Sequence, residues 1–250
     1  MNHRSPLSKS FSLVVIILVL LGCSKTKKTA HHLVVATDAT YQPFEYYNEA
    51  HELVGFDIDL FNALAAQAGF TVTFKNQPFD GIIAGLEAGK YDAVISSLSI
   101  TEERAKRILF TDPYYDAGQL IAVRSDQTGI ETLDDLKGVR IGVQRGTTGA
   151  AKAKEVSDAQ VSEYDTIDLA FLALKDGNVD AVLNDGPTSR SIVASQRGFK
   201  LVGVPLTDEK YGIAVGKKEV ELAAALNIAL AKLKEDGTLE RIQRKWLEPK

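Results

Sequence analysis

Short apolar runs alternate along this chain with longer stretches whose apolar residues recur at helical spacing, and that alternation predicts parallel sheets covered on both faces. Residues 33–36 form a run of buried-strand type that gives out at Thr37-Asp38-Ala39-Thr40-Tyr41, with Pro43 just beyond, so a polar loop hangs from a strand end. A hairpin is predicted over 46–54. Over 56–68, Ile58, Phe61, Leu64, Ala65 and Ala68 share one helical face, and Gly69 stops the helix. A strand over 71–74, a helix over 80–88 and the buried run 93–95 follow, with Gly89 as the stop between the last two.

Past Pro113-Tyr114-Tyr115 the pattern begins again. Residues 119–123 predict a strand and 125–129 a polar loop, and the buried strand 139–143 opens into the turn Gln144-Arg145-Gly146-Thr147-Thr148-Gly149 ahead of a helix with Ala150, Ala151 and Ala153. Such a turn presents bare N–H groups to an anion, and the missing Gly-Lys-Ser/Thr ending separates it from a nucleotide-binding P-loop. The halves echo one another: Phe79-Asp80 through Gly89-Lys90-Tyr91-Asp92-Ala93-Val94 matches Ile167-Asp168 through Gly177-Asn178-Val179-Asp180-Ala181-Val182. Carried forward, the match sets Asn184 and Asp185 where the first copy has Ser96 and Ser97. Because ligands collect at the carboxyl ends of strands in open α/β sheets, two facing lobes would each aim polar groups at a shared cleft. A strand over 211–215, a long helix over 219–234 stopped by Gly237, and a last helix begun by Thr238 and Glu240 complete the pattern, with Trp246 as a docking anchor.

The first copy ends in chemistry. The run 93–95 passes straight into Ser96, Ser97 and Ser99, after which Thr101 followed by two acids is the signature of a helix N-cap, placing Arg104 about one turn in. Hydroxyls, backbone donors and a guanidinium fork at one point suit a carboxylate. Asp185 at the matching strand end suits a cation, so together they describe a site for a zwitterion, for which Tyr41 and Phe79 lie in loops able to supply aromatic walls.

The N-terminus changes the picture of location. His3, Arg4 and Lys9 precede an unbroken apolar run over 11–21, which has the order of a secretory signal and is short for a bilayer span. That run ends Leu20-Leu21-Gly22-Cys23 and resembles the bacterial lipobox, which makes Cys23, the single cysteine, the expected lipidation site and mature N-terminus after removal of 1–22. Residues 23–32 read as a tether. The 250-residue chain balances 29 Lys and Arg against 33 Asp and Glu, net −4, and loss of Arg4 and Lys9 leaves 27 against 33, net −6. An acidic mature chain argues against nucleic-acid binding.

Other chemistries lack their parts. The four histidines are His3, His31, His32 and His51, none at a predicted strand end, so neither a Ser–His–Asp site nor a zinc site can be drawn. Adjacent Glu102 and Glu103 point in different directions on a helix and are no glycosidase pair. No cofactor and no metal are expected.

Four motifs carry a family resemblance: Asp38-x-x-Tyr41-x-Pro43-Phe44, residues 54–60 (Val-Gly-Phe-Asp-Ile-Asp-Leu), Ser96-Ser97-Leu98-Ser99-Ile100-Thr101-x-x-Arg104 and Thr111-Asp112-Pro113-Tyr114-Tyr115. From about Leu33 to Trp246 the chain resembles the polar-amino-acid solute-binding proteins of bacterial ABC importers. The resemblance implies a two-lobed α/β fold of the type II periplasmic-binding kind, each lobe an open, mostly parallel sheet flanked by helices, joined by two hinge strands. Lobe 1 would comprise 33–116 plus 212–250 and lobe 2 residues 117–211. Arg104, Ser99 and the Thr147–Thr148 turn would hold an α-carboxylate, Asp185 and Ser97 an α-ammonium, Tyr41 and Phe79 the side chain, with Asp38 and Ser96 near its far end. Basic-amino-acid binders often carry Gln where this chain has Gly149. The implied partners are an amino acid and a permease with its ATPase, the membrane being reached only through the lipid, and the implied state is a monomeric, non-enzymatic receptor in the periplasm or on the cell surface. Arginine is the favoured ligand. Glutamine- or histidine-binding members, cyclohexadienyl dehydratases on the same fold and sensory domains are the alternatives.

Overall fold

Apart from Met1, the computed structural model describes residues 31–248; the expectations placed on 1–22, on Cys23 and on most of the tether lie outside them. The chain opens with β1 (His31–Thr37), followed by a small antiparallel sheet of β2 (Thr40–Tyr41), β3 (Glu45–Tyr47) and β4 (Leu53–Val54), so the predicted hairpin is its outer pair. Next come α1 (Phe56–Ala68), β5 (Phe70–Asn76), α2 (Phe79–Glu87), β6 (Ala93–Val94), α3 (Glu102–Arg107), β7 (Ile108–Phe110) and β8 (Tyr115–Ala117). His31 and His32 belong to β1 rather than to a tether, pairing with Phe70 and Thr71. Both histidines are exposed, so no apolar signal marks them, and pairing at a sheet's end needs no burial.

The chain continues through β9 (Gln119–Arg124), β10 (Arg140–Gln144), α4 (Thr148–Lys154), β11 (Gln160–Tyr164), α5 (Ile167–Lys175), β12 (Ala181–Asp185), α6 (Gly186–Ser195), β13 (Phe199–Val202) and β14 (Glu209–Tyr211). It then returns through β15 (Ala214–Gly216) to α7 (Val220–Glu235) and α8 (Thr238–Leu247). Two five-stranded sheets result, ordered β5-β1-β6-β15-β7 and β11-β10-β12-β9-β13. In each, three strands run parallel on one side and the fourth runs against its neighbours. That reversed strand is the one entered from a crossing: β9 follows β8, and β15 follows β14. The crossing strands β8 and β14 pair with each other, giving the two-lobed, twice-connected fold.

The sequence echo has a structural counterpart. Helices α2 and α5 both span nine residues, and Gly89 and Gly177 follow at φ 67° and 75°. After each, the next strand joins the sheet through an aspartate N–H: Asp92 donates to Val34 O and Asp180 to Arg140 O, both at 2.8 Å. Left-handed backbone right after a helix is what glycine supplies without strain, so the same turn recurs with different side chains around it.

Two departures from the sequence pattern have physical causes. The strand expected over 211–215 is two strands in different sheets, because the chain passes at Gly212 from the crossing pair to the first sheet, where a Cβ would come within 2.8 Å of the Ile100 side chain. The pattern also misses β7, β11, β13 and α6; the buried positions of α6 include Gly186, Thr188 and Ser189, which carry no apolar signature. Trp246 does dock the last helix, donating its indole N–H to Asp59 of α1 at 2.7 Å and standing edge-on to Tyr46.

The crossing pair rests on aromatic packing. Tyr115 of β8 and Tyr211 of β14 stack at 5.8 Å, and Phe44 meets both edge-on at 5.3 and 5.4 Å. Gly118 follows β8 as Gly212 follows β14, and a Cβ there would lie 2.4 Å from the Thr207 carbonyl oxygen. Because the clash is with backbone, Gly118→Ala should destabilise the protein by about 1–3 kcal/mol, read as a lowered midpoint in urea at unchanged slope.

Candidate binding cleft

Strand ends of both sheets converge on one cavity. Its walls include all ten residues singled out in the sequence, Asp38, Tyr41, Phe79, Ser96, Ser97, Ser99, Arg104, Thr147, Thr148 and Asp185, together with Glu45 and Gln144. The space between these walls, including its opening to solvent, is about 290 Å³, and side chains narrow it. Side chains of the two lobes already meet across it. Tyr41 Oη donates to Asn184 Oδ1 at 2.8 Å, Gln144 Nε2 to Asp38 Oδ2 at 2.8 Å, and Arg104 Nη2 to the Gly146 carbonyl at 3.1 Å.

The wall from the first lobe is built where β1 and β6 end. Asp38 accepts from the Thr40 hydroxyl at 3.0 Å and from Gln144, and burial raises its pKa above the ordinary carboxylate range. Its own N–H donates to Ser96 Oγ at 2.9 Å, and Ser96 in turn donates to Glu45 at 3.0 Å. Ser97 has a left-handed φ of 45°, and its N–H donates to Asp57 Oδ2 at 2.7 Å. Thr101 caps α3 as its sequence predicts, accepting from the Arg104 N–H at 3.2 Å. The Arg104 guanidinium lies 5.5 Å from the Phe79 ring centroid and donates to the Ser99 carbonyl at 2.8 Å. With Gly146 taking a second N–H, three of a guanidinium's five donors remain.

From the second lobe come the α4 turn and the end of β12. Both threonine hydroxyls are committed within the protein: Thr147 donates to the Gln144 carbonyl at 2.7 Å and accepts from Ala150 N–H, while Thr148 donates to Glu209 at 2.7 Å and accepts from Gln119 at 3.1 Å. What the turn offers an anion is therefore the backbone N–H groups at the head of α4. Gly149 has no room for a side chain, since a Cβ would sit 2.8 Å from both Gln119 Oε1 and the Leu183 carbonyl oxygen. Gln119, from β9, fills that space and also donates to Asp185. Asp185 accepts from Tyr211 Oη at 2.5 Å, and burial raises its pKa to about 6 against the lowering effect of these bonds.

Two wall residues escaped the sequence. Gln144, with Gly146-Thr147-Thr148, resembles the same turn of arginine binders but is not singled out as a site residue, although its amide reaches Asp38. Glu45 sits in β3 directly after Phe44, where an acid on a short strand reads as a solvent-facing position; it is fully buried. Among the described residues no cluster of metal-ligating side chains occurs, and no helix is long and apolar enough to cross a membrane.

Residues 33–249 match the bacterial extracellular solute-binding proteins, family 3. The chain belongs to that family. Within it, the ABC transporter arginine-binding protein 1 of Escherichia coli (strain K12) is 36% identical over 239 residues, covering 93% of this chain and 98% of that one. Among solved structures, an ancestral arginine-binding protein bound to arginine is 44% identical with a TM-score of 0.85, covering 87% of this family member and 98% of that chain. An ancestral arginine-binding protein bound to glutamine is also 44% identical, with a TM-score of 0.84 over 86% and 97% of the two chains.

Among the effects that lower the Asp185 pKa in this solute-binding protein, the Tyr211 hydroxyl is the largest. Tyr211→Phe should therefore move that carboxyl upward from about 6, followed as the midpoint of its carbon chemical shift in an NMR titration.

Proposed function

We propose that this protein is the receptor of an ABC importer for a basic amino acid, binding arginine ahead of lysine, ornithine or histidine, and glutamine more weakly. The observation that carries the proposal is one narrow cavity with Arg104 and the α4 amides on one hand and the buried carboxyls of Asp185 and Asp38 on the other. An α-amino acid with a cationic side chain has that complement of charge: one carboxylate and two cations. Arg104, Ser99 and the amides of the Thr147–Thr148 turn take the α-carboxylate, Asp185 and Ser97 the α-ammonium, Tyr41 and Phe79 flank the side chain, and Asp38 with Ser96 meets its far end. The arginine-binding relative and the arginine-bound structure support the choice of ligand.

Residues 33–116 with 212–250 act as one closing lobe and 117–211 as the other, the closed form being handed to a permease with its ATPase. The protein binds its ligand without turning it over, and works as a monomer held to a membrane by lipid on Cys23. The apolar run before Leu20-Leu21-Gly22-Cys23 supports the anchor.

Calorimetry against all the amino acids tests the ligand, with arginine expected to bind tightest. Asp38→Asn should weaken arginine by on the order of 2–5 kcal/mol, roughly thirty-fold or more, because a buried cation loses its charged partner, and should change glutamine far less. Tighter binding of glutamine than arginine by the wild type, or equal loss of both in the variant, defeats the basic-ligand assignment.

Cys23→Ala should release the protein from the membrane fraction with its ligand affinity unchanged. Membrane retention equal to wild type would refute the anchor.

A further inference from the structure

Behind the serine wall lie two carboxyls that the proposed ligand contacts do not use. Glu45 of β3 and Asp57 of α1 both have no exposed surface, and Glu45 also lines the cavity. Asp57 Oδ2 accepts from the Ser97 N–H and from the Tyr114 hydroxyl at 2.9 Å, while its Oδ1 is buried with no protein N–H or hydroxyl partner. Glu45 accepts from Ser96 at 3.0 Å and, at 3.4 Å, from Ser97. The groups facing the pair are Asp38 at the end of β1, Tyr41 of β2, Tyr114 ahead of β8 and the two serines; no cation among the described residues stands against either carboxyl. Two anions buried side by side without a cation are far costlier than one anion and one acid. The orphaned Oδ1 supplies the acceptor that a protonated Glu45 needs.

We propose that Glu45 is a specificity-determining residue of this cleft: neutral while it donates its proton to Asp57 Oδ1, it releases that proton to solvent when a cationic ligand side chain enters beside Asp38, and keeps it when the side chain is neutral. The inference rests on the amino-acid reading above. A cation arriving next to Asp38 and Glu45 favours the ionised carboxyl, so its binding and the proton's departure are linked, and the linkage reads the ligand's charge rather than its shape. Burial and the neighbouring Asp57 hold Glu45 well above the ordinary carboxylate range, the direction that favours its neutral form. Asp185 cannot produce the same signature, because an α-ammonium reaches it from every amino acid alike.

Release of a proton on arginine binding makes arginine affinity rise with pH through the neutral range, by up to about tenfold per pH unit for one whole proton, relative to glutamine. In the unliganded protein a carboxyl whose folded pKa is raised gives stability that is complete below its ordinary value, 4.5, and is lost as pH climbs toward the raised one. An amide at this position can donate to Asp57 and accept from Ser96 as the neutral acid does, and it never ionises. Glu45→Gln should thus melt higher than wild type by a margin that widens from pH 5 to pH 8.

The experiment measures binding enthalpies of wild type and Glu45→Gln for arginine and glutamine at pH 7 and 8, in two buffers of different ionisation enthalpy, beside infrared spectra of both unliganded proteins. Wild type should release more protons with arginine than with glutamine, and the excess should vanish in the variant, whose arginine affinity falls about tenfold at pH 8 with glutamine within twofold. The wild type should also carry a protonated-carboxyl band at pH 7 that the variant lacks. Equal proton release with both ligands, an excess that survives in the variant, or no such band in wild type would overturn the proposal. A protein that shows the band yet binds no amino acid would support the shared proton and overturn the functional reading instead.

Discussion

A single carboxylate holds three parts of this structure in register. Asp57, in the first turn of α1, accepts the Ser97 N–H from the loop after β6 and the Tyr114 hydroxyl from the segment entering β8. Helix, serine wall and crossing strand thereby share one buried anion. Burying a charge is costly, and the partial positive charge at a helix N-terminus together with two hydrogen bonds offsets it. Without that acceptor the Ser97 amide would be left unpaired in a left-handed conformation that side chains with a Cβ rarely adopt. The geometry of the cleft therefore depends on an acid that would be read, in isolation, as a surface residue.

Much of the cleft was legible because its residues end strands. Asp38 follows β1, Ser96 and Ser97 follow β6, the Thr147–Thr148 turn follows β10, and Asp185 closes β12, and each lies where an apolar run gives way to polar residues. That transition is a one-dimensional signal. Gln144 closes β10 at the same kind of transition, but its contact with Asp38, distant in sequence, is not encoded there; Glu45 opens β3 right after an apolar residue and gives no such signal, being turned inward by the serines. The same limit explains the elements that the pattern misses. Burial of Thr188 and Ser189 in α6 reflects what packs over them, and the break at Gly212 reflects a change of sheet that no local propensity encodes.

The crossing pair gives the two lobes unequal shares of the hinge. Phe44, Phe56 and Tyr114, all from the first lobe, pack around Tyr115 and Tyr211, so the hinge is embedded in that lobe's aromatic core. From that cluster the Tyr211 hydroxyl donates to Asp185. One residue thus combines a ring packed among the first lobe's aromatic residues with a hydroxyl on a site carboxyl, so the packing of the crossing pair bears on the electrostatics of that carboxyl.

The exchange of space between Gly149 and Gln119 has a consequence for how such sites diverge. A side chain at 149 meets both Gln119 Oε1 and the Leu183 carbonyl oxygen, and shortening Gln119 would leave Asp185 and Thr148 without the amide that bridges them while removing only one of the two obstacles. The backbone of β12 therefore holds position 149 to glycine, and a lineage that needs a side chain there must first move a strand of this cleft.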